Sequence, residues 1–132
     1  MPLPTELERL DGARELHDWF GYWPGFHDAE VLEFHLNAGA PSSMVVHTWE
    51  MTKQVNTQGY CGLIKHVVVE FLLEGIVSVD IVDFRDHSIL LDLSEDKIEN
   101  GFRMSFSAAY GLSGTIEAHV LSLRIKPGKP IA

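Results

Sequence analysis

The residues most able to do chemistry in this chain are its seven histidines, at positions 17, 27, 35, 47, 66, 87 and 119. Imidazole groups bind metal ions and transfer protons near neutral pH. No two of the seven have the i, i+4 spacing of a helical metal site or the i, i+2 spacing of a site on one strand. His27, Asp28 and Glu30 lie together, and His35 and His47 can approach them across strands, so these three are candidate metal ligands. The alternative is that they form a chain reversal, with Asp28 capping the turn.

Carboxylates form the second group with chemical potential. Asp80, Asp83 and Asp86 follow one predicted strand and its turn, whereas Glu70 and Glu74 line the outward face of the preceding strand. Paired carboxylates can serve as general acid and base, but no orienting partner accompanies them in the sequence. We interpret them as a solvated sheet face that can also act as an acidic binding patch.

Aromatic residues are densest just before the first predicted strand, at Trp19, Tyr22, Trp23 and Phe26. Such side chains anchor a helix to a sheet, or one of them, for which Trp23 is the candidate, serves as an exposed interface anchor. The sequence contains no phosphate-binding glycine loop, dinucleotide fingerprint or Gly-x-Ser-x-Gly motif. We therefore expect a non-enzymatic protein without a cofactor.

The amino-acid composition of the chain limits the classes of molecule that it is expected to bind. The chain has 132 residues, which fits a single domain over 1–132, and its 10 Lys and Arg against 19 Asp and Glu give a net charge of −9. Such a surface repels nucleic acid and anionic lipid and favours basic partners. The single cysteine, Cys61, excludes an intrachain disulfide and indicates a reducing compartment. With no secretory signal pattern and no apolar run of membrane-spanning length, the expected location is the cytoplasm.

The sequence predicts that a helical segment followed by strands positions these residues. Residues 1–20 have helical apolar spacing, with Thr5 and Glu8 as a capping box, a break at 11–12 and an end by Gly21. Thereafter the apolar period becomes two. It predicts seven strands, at 31–36, 44–51, 63–74, 76–84, 88–94, 102–108 and 115–125.

Details of the strands follow from local patterns. Residues 52–62 and 95–101 are predicted polar connections, and Asn100-Gly101 is a tight-hairpin sequence. A slip of the apolar phase in the last strand predicts a β-bulge near Val120. The inward sets expected are Val45, Trp49 and Met51 in the second strand, with His47 in phase with them, Val67, Val69, Phe71 and Leu73 in the third, and Ile89, Leu91 and Leu93 in the fifth. No βαβ alternation exists, so the predicted class is α+β, with the helical segment packed on a mainly antiparallel sheet.

The segment Trp23-Pro-Gly-Phe-His-Asp-Ala-Glu30 resembles a family of bacterial immunity proteins, which are encoded beside polymorphic secreted toxins and protect the producing cell. The bend at 71–75 and the turn at 110–114 are similar to the C-terminal half of that family. The resemblance implies a cytoplasmic, non-enzymatic antidote that binds a cognate toxin. It implies no catalytic role for His27 or Asp28.

Three hypotheses follow from the sequence. The first is an immunity-type module that binds a cognate protein toxin of basic character. The second is a small metal-binding protein or hydrolase that uses His27, Asp28 and Glu30. The third is a structural domain whose sheet edge pairs with itself in a homodimer.

Overall fold

The computed structural model of the chain describes residues 10–55 and 61–130. Within them lie one helix and six strands: α1 (Ala13–Phe20), β1 (Glu30–His35), β2 (Ser42–Val55), β3 (Cys61–Val82), β4 (Ser88–Ile98), β5 (Gly101–Tyr110) and β6 (Ser113–Pro127). The predicted capping box of Thr5 and Glu8 lies outside the described residues. The predicted class, α+β with a helix on an antiparallel sheet, is confirmed.

The sheet consists of two three-stranded meanders, β1-β2-β3 and β4-β5-β6. They join through β3 and β6, giving the order β1-β2-β3-β6-β5-β4 with every neighbouring pair antiparallel. A short ladder between β1 and β4, in which Glu30 lies opposite Ile89 and Val31 opposite Ser88, closes the sheet on itself. Buried side chains from α1 and from the strands of this closed barrel form one apolar core.

The strand count is six instead of seven because β3 unites two predicted strands. Gly75, predicted as the boundary, has φ +68° and only bends the strand. The β3–β6 ladder runs past it from Val67 opposite Pro127 to Val82 opposite Ser113. A Cβ at Gly75 would come within 2.8 Å of the His119 ring, so close packing as well as backbone conformation favours glycine here.

The inward set predicted for the third strand is confirmed, since Val67, Val69, Phe71 and Leu73 are all buried. The set predicted for the second strand is wrong in part. Val45 is buried, but Met44 and Val46 face the core, and Met51 is exposed. Positions 44–48 are buried on both faces, so apolar spacing alone could not fix the phase. Pairing with β3 fixed it instead, placing Met44 opposite Phe71 and Val46 opposite Val69.

The set predicted for the fifth strand is also wrong in part. Leu90 and Leu93 are buried, whereas Leu91 is exposed. The register of β4 against β5 shifts twice between Ile89 and Asp92, which moves the inward phase by one residue.

Both predicted polar connections are shorter than expected. β2 continues to Val55 and β3 begins at Cys61, while residues 56–60 lie outside the described part of the chain. β4 continues to Ile98, because polar residues occupy its outward positions up to the hairpin turn. The predicted hairpin at Asn100-Gly101 is confirmed, with Asn100 at φ +66° and Gly101 opposite Ile98.

The predicted phase slip in the last strand is present. Ile116 and Ala118 are buried before it, and Leu121 and Leu123 after it. The β-bulge predicted near Val120 is wrongly placed, because the register irregularity of the β3–β6 ladder lies in β3, between Ile76 and Ser78.

Helix α1 buries one face against the sheet through Ala13, Leu16 and Phe20. It ends where predicted, because Gly21 takes the left-handed conformation at φ +85° and donates its N–H to the His17 carbonyl at 2.7 Å. With eight residues, α1 is too short to cross a membrane, and the described chain has no other helix.

Both ends of the helix are attached to the sheet. At the start, the Asp11 carbonyl accepts a hydrogen bond from the Leu123 N–H at 2.8 Å, and Gly12 lies so close to Leu123 that a Cβ would overlap its carbonyl oxygen. Near the end, the Trp19 indole N–H donates to the Lys65 carbonyl at 3.0 Å. These contacts fix where the chain leaves the helix and enters the segment that resembles immunity proteins.

Candidate functional site

Residues 25–29 reverse the chain between α1 and β1 and run against β4. The Asp28 N–H donates to the Leu90 carbonyl at 2.8 Å, and the Leu93 N–H donates to the Gly25 carbonyl at 3.2 Å. Phe26 and Asp28 both adopt positive φ, at 62° and 65°. The Phe26 ring is buried, with its centroid 5.5 Å from that of Phe71. The reversal is therefore held by backbone pairing and by one aromatic anchor.

The candidate ligands of this segment do not point to one place. His27 and Asp28 form an exposed pair with a 3.6 Å separation between Nε2 and Oδ2, and His27 Nδ1 lies 3.1 Å from the Leu91 carbonyl. Glu30 is directed instead to His47 on β2. His35 lies beside Glu33 near the other end of β1. Within residues 10–55 and 61–130, no three His, Cys, Asp or Glu side chains form a group that could hold a metal ion.

Glu30, His47 and His66 form a continuous hydrogen-bonded row, here called the imidazole chain. Glu30 Oε1 lies 2.9 Å from His47 Nδ1, and His47 Nε2 lies 2.9 Å from His66 Nδ1. The two rings stack with centroids 5.2 Å apart. Strand register accounts for the arrangement, because Glu30 lies opposite His47 in β1–β2, and His47 lies opposite Val68, which shares a face with His66.

The imidazole chain is partly shielded from water. His47 is buried, and the Trp49 ring packs against it at a tilt of 53°, with a centroid separation of 4.9 Å. Burial lowers the pKa of His66 below its ordinary value, and the adjacent His47 and Lys129 lower it further. With His66 neutral, its Nδ1–H can donate to His47 Nε2 while His47 Nδ1–H donates to the Glu30 carboxylate. The sequence showed that His47 can approach Glu30, but local spacing carried no sign of the pairing with His66.

A cavity of about 430 Å³ lies next to the imidazole chain, on the other side of Trp49. Its walls are residues 24–28 of the reversal, residues 48–51 of β2, and Tyr22. Burial, together with the hydrogen bond to Glu50 and the charge of that carboxylate, raises the pKa of Tyr22 to about 12. The Tyr22 phenol is therefore a neutral hydrogen-bond donor at physiological pH.

Glu95 is a buried carboxyl that the sequence pattern placed in a polar connection. It is 4% exposed, lies opposite Met104, and has neither oxygen hydrogen-bonded with ordinary geometry within the described chain. Burial raises its pKa to about 8, the Trp23 indole opposes the shift, and Asp96 adds to it. The only feature of the sequence that indicated burial of Glu95 is its i, i+2 spacing from Leu93, which is buried. Trp23, predicted as an interface anchor, is half-buried against the core beside this carboxyl.

The predicted acidic residues are divided between two places. Glu70 lies opposite Arg124 in the β3–β6 register, in a groove of about 450 Å³ that Lys126 also lines. Asp80, Asp83 and Asp86, by contrast, are exposed where β3 ends.

We call that second region the acidic end. It comprises the exposed carboxylates Glu74, Asp80, Asp83 and Asp86, and the exposed apolar side chains Val77, Val79, Val82, Phe84 and Tyr110. Phe84 and Val77 are 62% and 60% exposed, which is high for side chains of this kind. Residues 74–86 contain one cation, Arg85, which lies over the Tyr110 ring at 5.2 Å from its centroid.

The apolar part of the acidic end is connected to the core by edge-to-face contacts between aromatic rings. The Phe84 ring contacts Phe34 edge to face at a centroid distance of 6.4 Å, and Phe34 contacts the buried Phe106 at 6.4 Å. Phe84 is therefore exposed on one side and supported on the other, which limits its motion before any partner arrives.

Comparison of the chain with protein-family models, with curated proteins and with solved structures finds no match.

Proposed function

We propose that this protein is a non-enzymatic, cytoplasmic binding module of the immunity type, which neutralises a basic protein toxin by direct contact at the acidic end. One observation carries the proposal: exposed apolar side chains, among them Val77, Val82 and Phe84, lie between carboxylates at one end of the sheet. The resemblance of residues 23–30 to immunity proteins supplies the class of partner.

The physical argument rests on what each kind of side chain contributes. Exposed apolar area costs solvation free energy that a partner recovers on binding. Pre-supported aromatic rings such as Phe84 are efficient anchors, because little side-chain entropy remains to be lost. The surrounding carboxylates accelerate encounter with a basic surface and penalise acidic partners.

The test is co-expression with a toxin-like reading frame encoded beside this protein, scored by growth. We expect the wild-type chain to restore growth and to form a complex with the toxin in isothermal titration calorimetry. Val82→Arg, which adds a cation to the acidic end, should abolish rescue. Leu63→Arg is the matched control, since Leu63 is also exposed but lies near the opposite end of β3.

Two results would contradict the proposal. One is a neighbouring gene product that is harmless when expressed alone. The other is equal rescue by the Val82→Arg and Leu63→Arg variants when both remain folded by circular dichroism.

A second candidate function, acid–base chemistry, is favoured by the 2.9 Å contacts of the imidazole chain beside the 430 Å³ cavity. It uses Glu30 from the original candidate ligands, but with His47 and His66 in place of His27 and Asp28. Hydrolysis of a chromogenic ester by wild-type protein and by His47→Ala tests it. Turnover by the wild type that is lost in the variant would favour this second function over the first.

A further inference from the structure

Part of β3 has a neighbour on one side only. The ladder with β2 extends along β3 no further than Leu73, which lies opposite Ser42. Beyond the bend, residues 78–82 pair regularly with β6, from Ser78 opposite Glu117 to Val82 opposite Ser113. No other strand within the described chain pairs with residues 78–82. We call the unpaired side of these five residues the open edge.

The open edge has two chemically distinct faces. Val79 lies opposite the buried Ile116, and Ile81 packs against the core, so these two side chains belong to the inner face. Asp80 and Val82 point to the outer face because alternate residues of a strand do. Four of the five residues are exposed, and Ile81 is half-buried.

An edge of this composition readily accepts another strand. Val and Ile favour the extended conformation, and an unpaired strand edge presents backbone N–H and C=O groups ready for a new ladder. Two features restrain indiscriminate pairing, the irregularity between Ile76 and Ser78 and the charge of Asp80. Both restrict the range of acceptable partners and leave the five-residue ladder intact.

Charge decides between a second copy of this chain and a different partner. Residues 74–86 carry four carboxylates and one guanidinium. An antiparallel pair of two open edges would place these carboxylates of one copy beside those of the other, and like charges across a ladder are destabilising. A basic segment meets the opposite situation, since each Lys or Arg on the outer face gains a carboxylate neighbour.

We propose that the open edge binds an extended segment of a partner protein as an additional β-strand. The segment alternates apolar residues, which contact Val79 and Ile81, with Lys or Arg, which face Asp80. The inference rests on the proposed binding function and specifies how the partner docks. Backbone pairing supplies affinity in this mode, and the two faces supply selectivity.

The probe for a test is the peptide Lys-Val-Lys-Val-Lys-Val-Lys, blocked at both ends and labelled with fluorescein. Two control peptides carry N-methyl groups on alternate residues, one on the odd and the other on the even positions, with charge unchanged. Strand addition uses the N–H groups of one set only. We therefore expect the parent and one methylated peptide to bind in fluorescence anisotropy, and the other methylated peptide to lose at least tenfold in affinity.

Location and charge are tested on the full-length protein. Amide hydrogen exchange by NMR should slow within residues 78–82 when the parent peptide binds. Asp80→Asn should weaken binding about two- to fivefold, the range expected for a cross-strand charge pair. Glu99→Gln, an exposed carboxylate in the β4–β5 turn, should leave affinity unchanged.

Equal binding of both methylated peptides, or protection outside the edge, would overturn the inference by showing non-specific charge attraction. Protection of residues 78–82 in concentrated protein without peptide would also overturn it, by identifying a second copy as the occupant. Failure of toxin rescue together with register-dependent peptide binding would remove the proposed function but retain the docking mode. Rescue of growth without slowed amide exchange at the open edge would retain the proposed function but remove the docking mode.

Discussion

Glu95 should make the stability of this protein fall as pH rises through the neutral range. Its pKa is about 8 in the folded chain against an ordinary value of 4.5. Between these values the folded state retains a proton that the unfolded state has released, so the stabilising contribution is fully present below pH 4.5 and is lost as pH rises toward 8. Each pH unit in that window costs about 1.4 kcal/mol of unfolding free energy.

Replacement of Glu95 by Gln removes this titration and keeps the shape of the side chain. Between pH 5 and pH 7 the unfolding free energy of the variant should rise by about 3 kcal/mol relative to that of wild type, because this interval spans two pH units at about 1.4 kcal/mol each. An unpaired buried amide adds only an offset that is independent of pH. Urea denaturation of both proteins at pH 5, 6, 7 and 8 measures the difference, in which the other titrating groups cancel.

Glu99→Gln serves as the control, because Glu99 is exposed in the adjacent hairpin turn and should track wild type at every pH. A stability difference between Glu95→Gln and wild type that stays constant from pH 5 to pH 8 would refute the reasoning. It would mean that Glu95 is ionised in the folded state and has found solvation or a partner.

Three other predictions concern the fold and the edge. Gly12 and Gly21 have similar positive φ, but only at Gly12 would the Cβ of an alanine overlap the backbone of another residue, Leu123. We expect thermal denaturation to show a loss of about 1 kcal/mol at Gly21 and roughly 3 kcal/mol or more at Gly12. Equal losses would exclude the steric cause. His47→Ala should cost about 2 kcal/mol, because it leaves polar groups of the imidazole chain unpaired; an unchanged melting temperature would argue against that chain. Asp80→Val should increase self-association in analytical ultracentrifugation, and Glu99→Val should not; identical sedimentation of the two would contradict the assignment of Asp80 as the edge's protecting charge.

Local sequence determined the class of this fold and several of its boundaries. A change of apolar period from helical to two separates α1 from the strands, and the αL preference of glycine ends the helix at Gly21. Asn100 and Gly101 specify a hairpin through backbone conformation alone. These features depend on residues within a few positions of one another, and spacing therefore reveals them.

Tertiary pairing decided the features that bear on function. The phase of β2 was set by its register against β3, since both of its faces are apolar near Met44 and Val46. The row from Glu30 through His47 to His66 brings together residues 17 and 19 positions apart along the chain. No local spacing encodes such a contact.

The open edge shows the same division between sequence and structure. The sequence of residues 78–82 predicts a strand, and the carboxylates around it are plain in the composition of that segment. Whether a neighbour covers the strand depends on where β2 begins relative to β3, which is a property of the whole ladder. Backbone groups pair with whatever strand the closed sheet brings beside them, so edges and burial are determined only once all six described strands are in place.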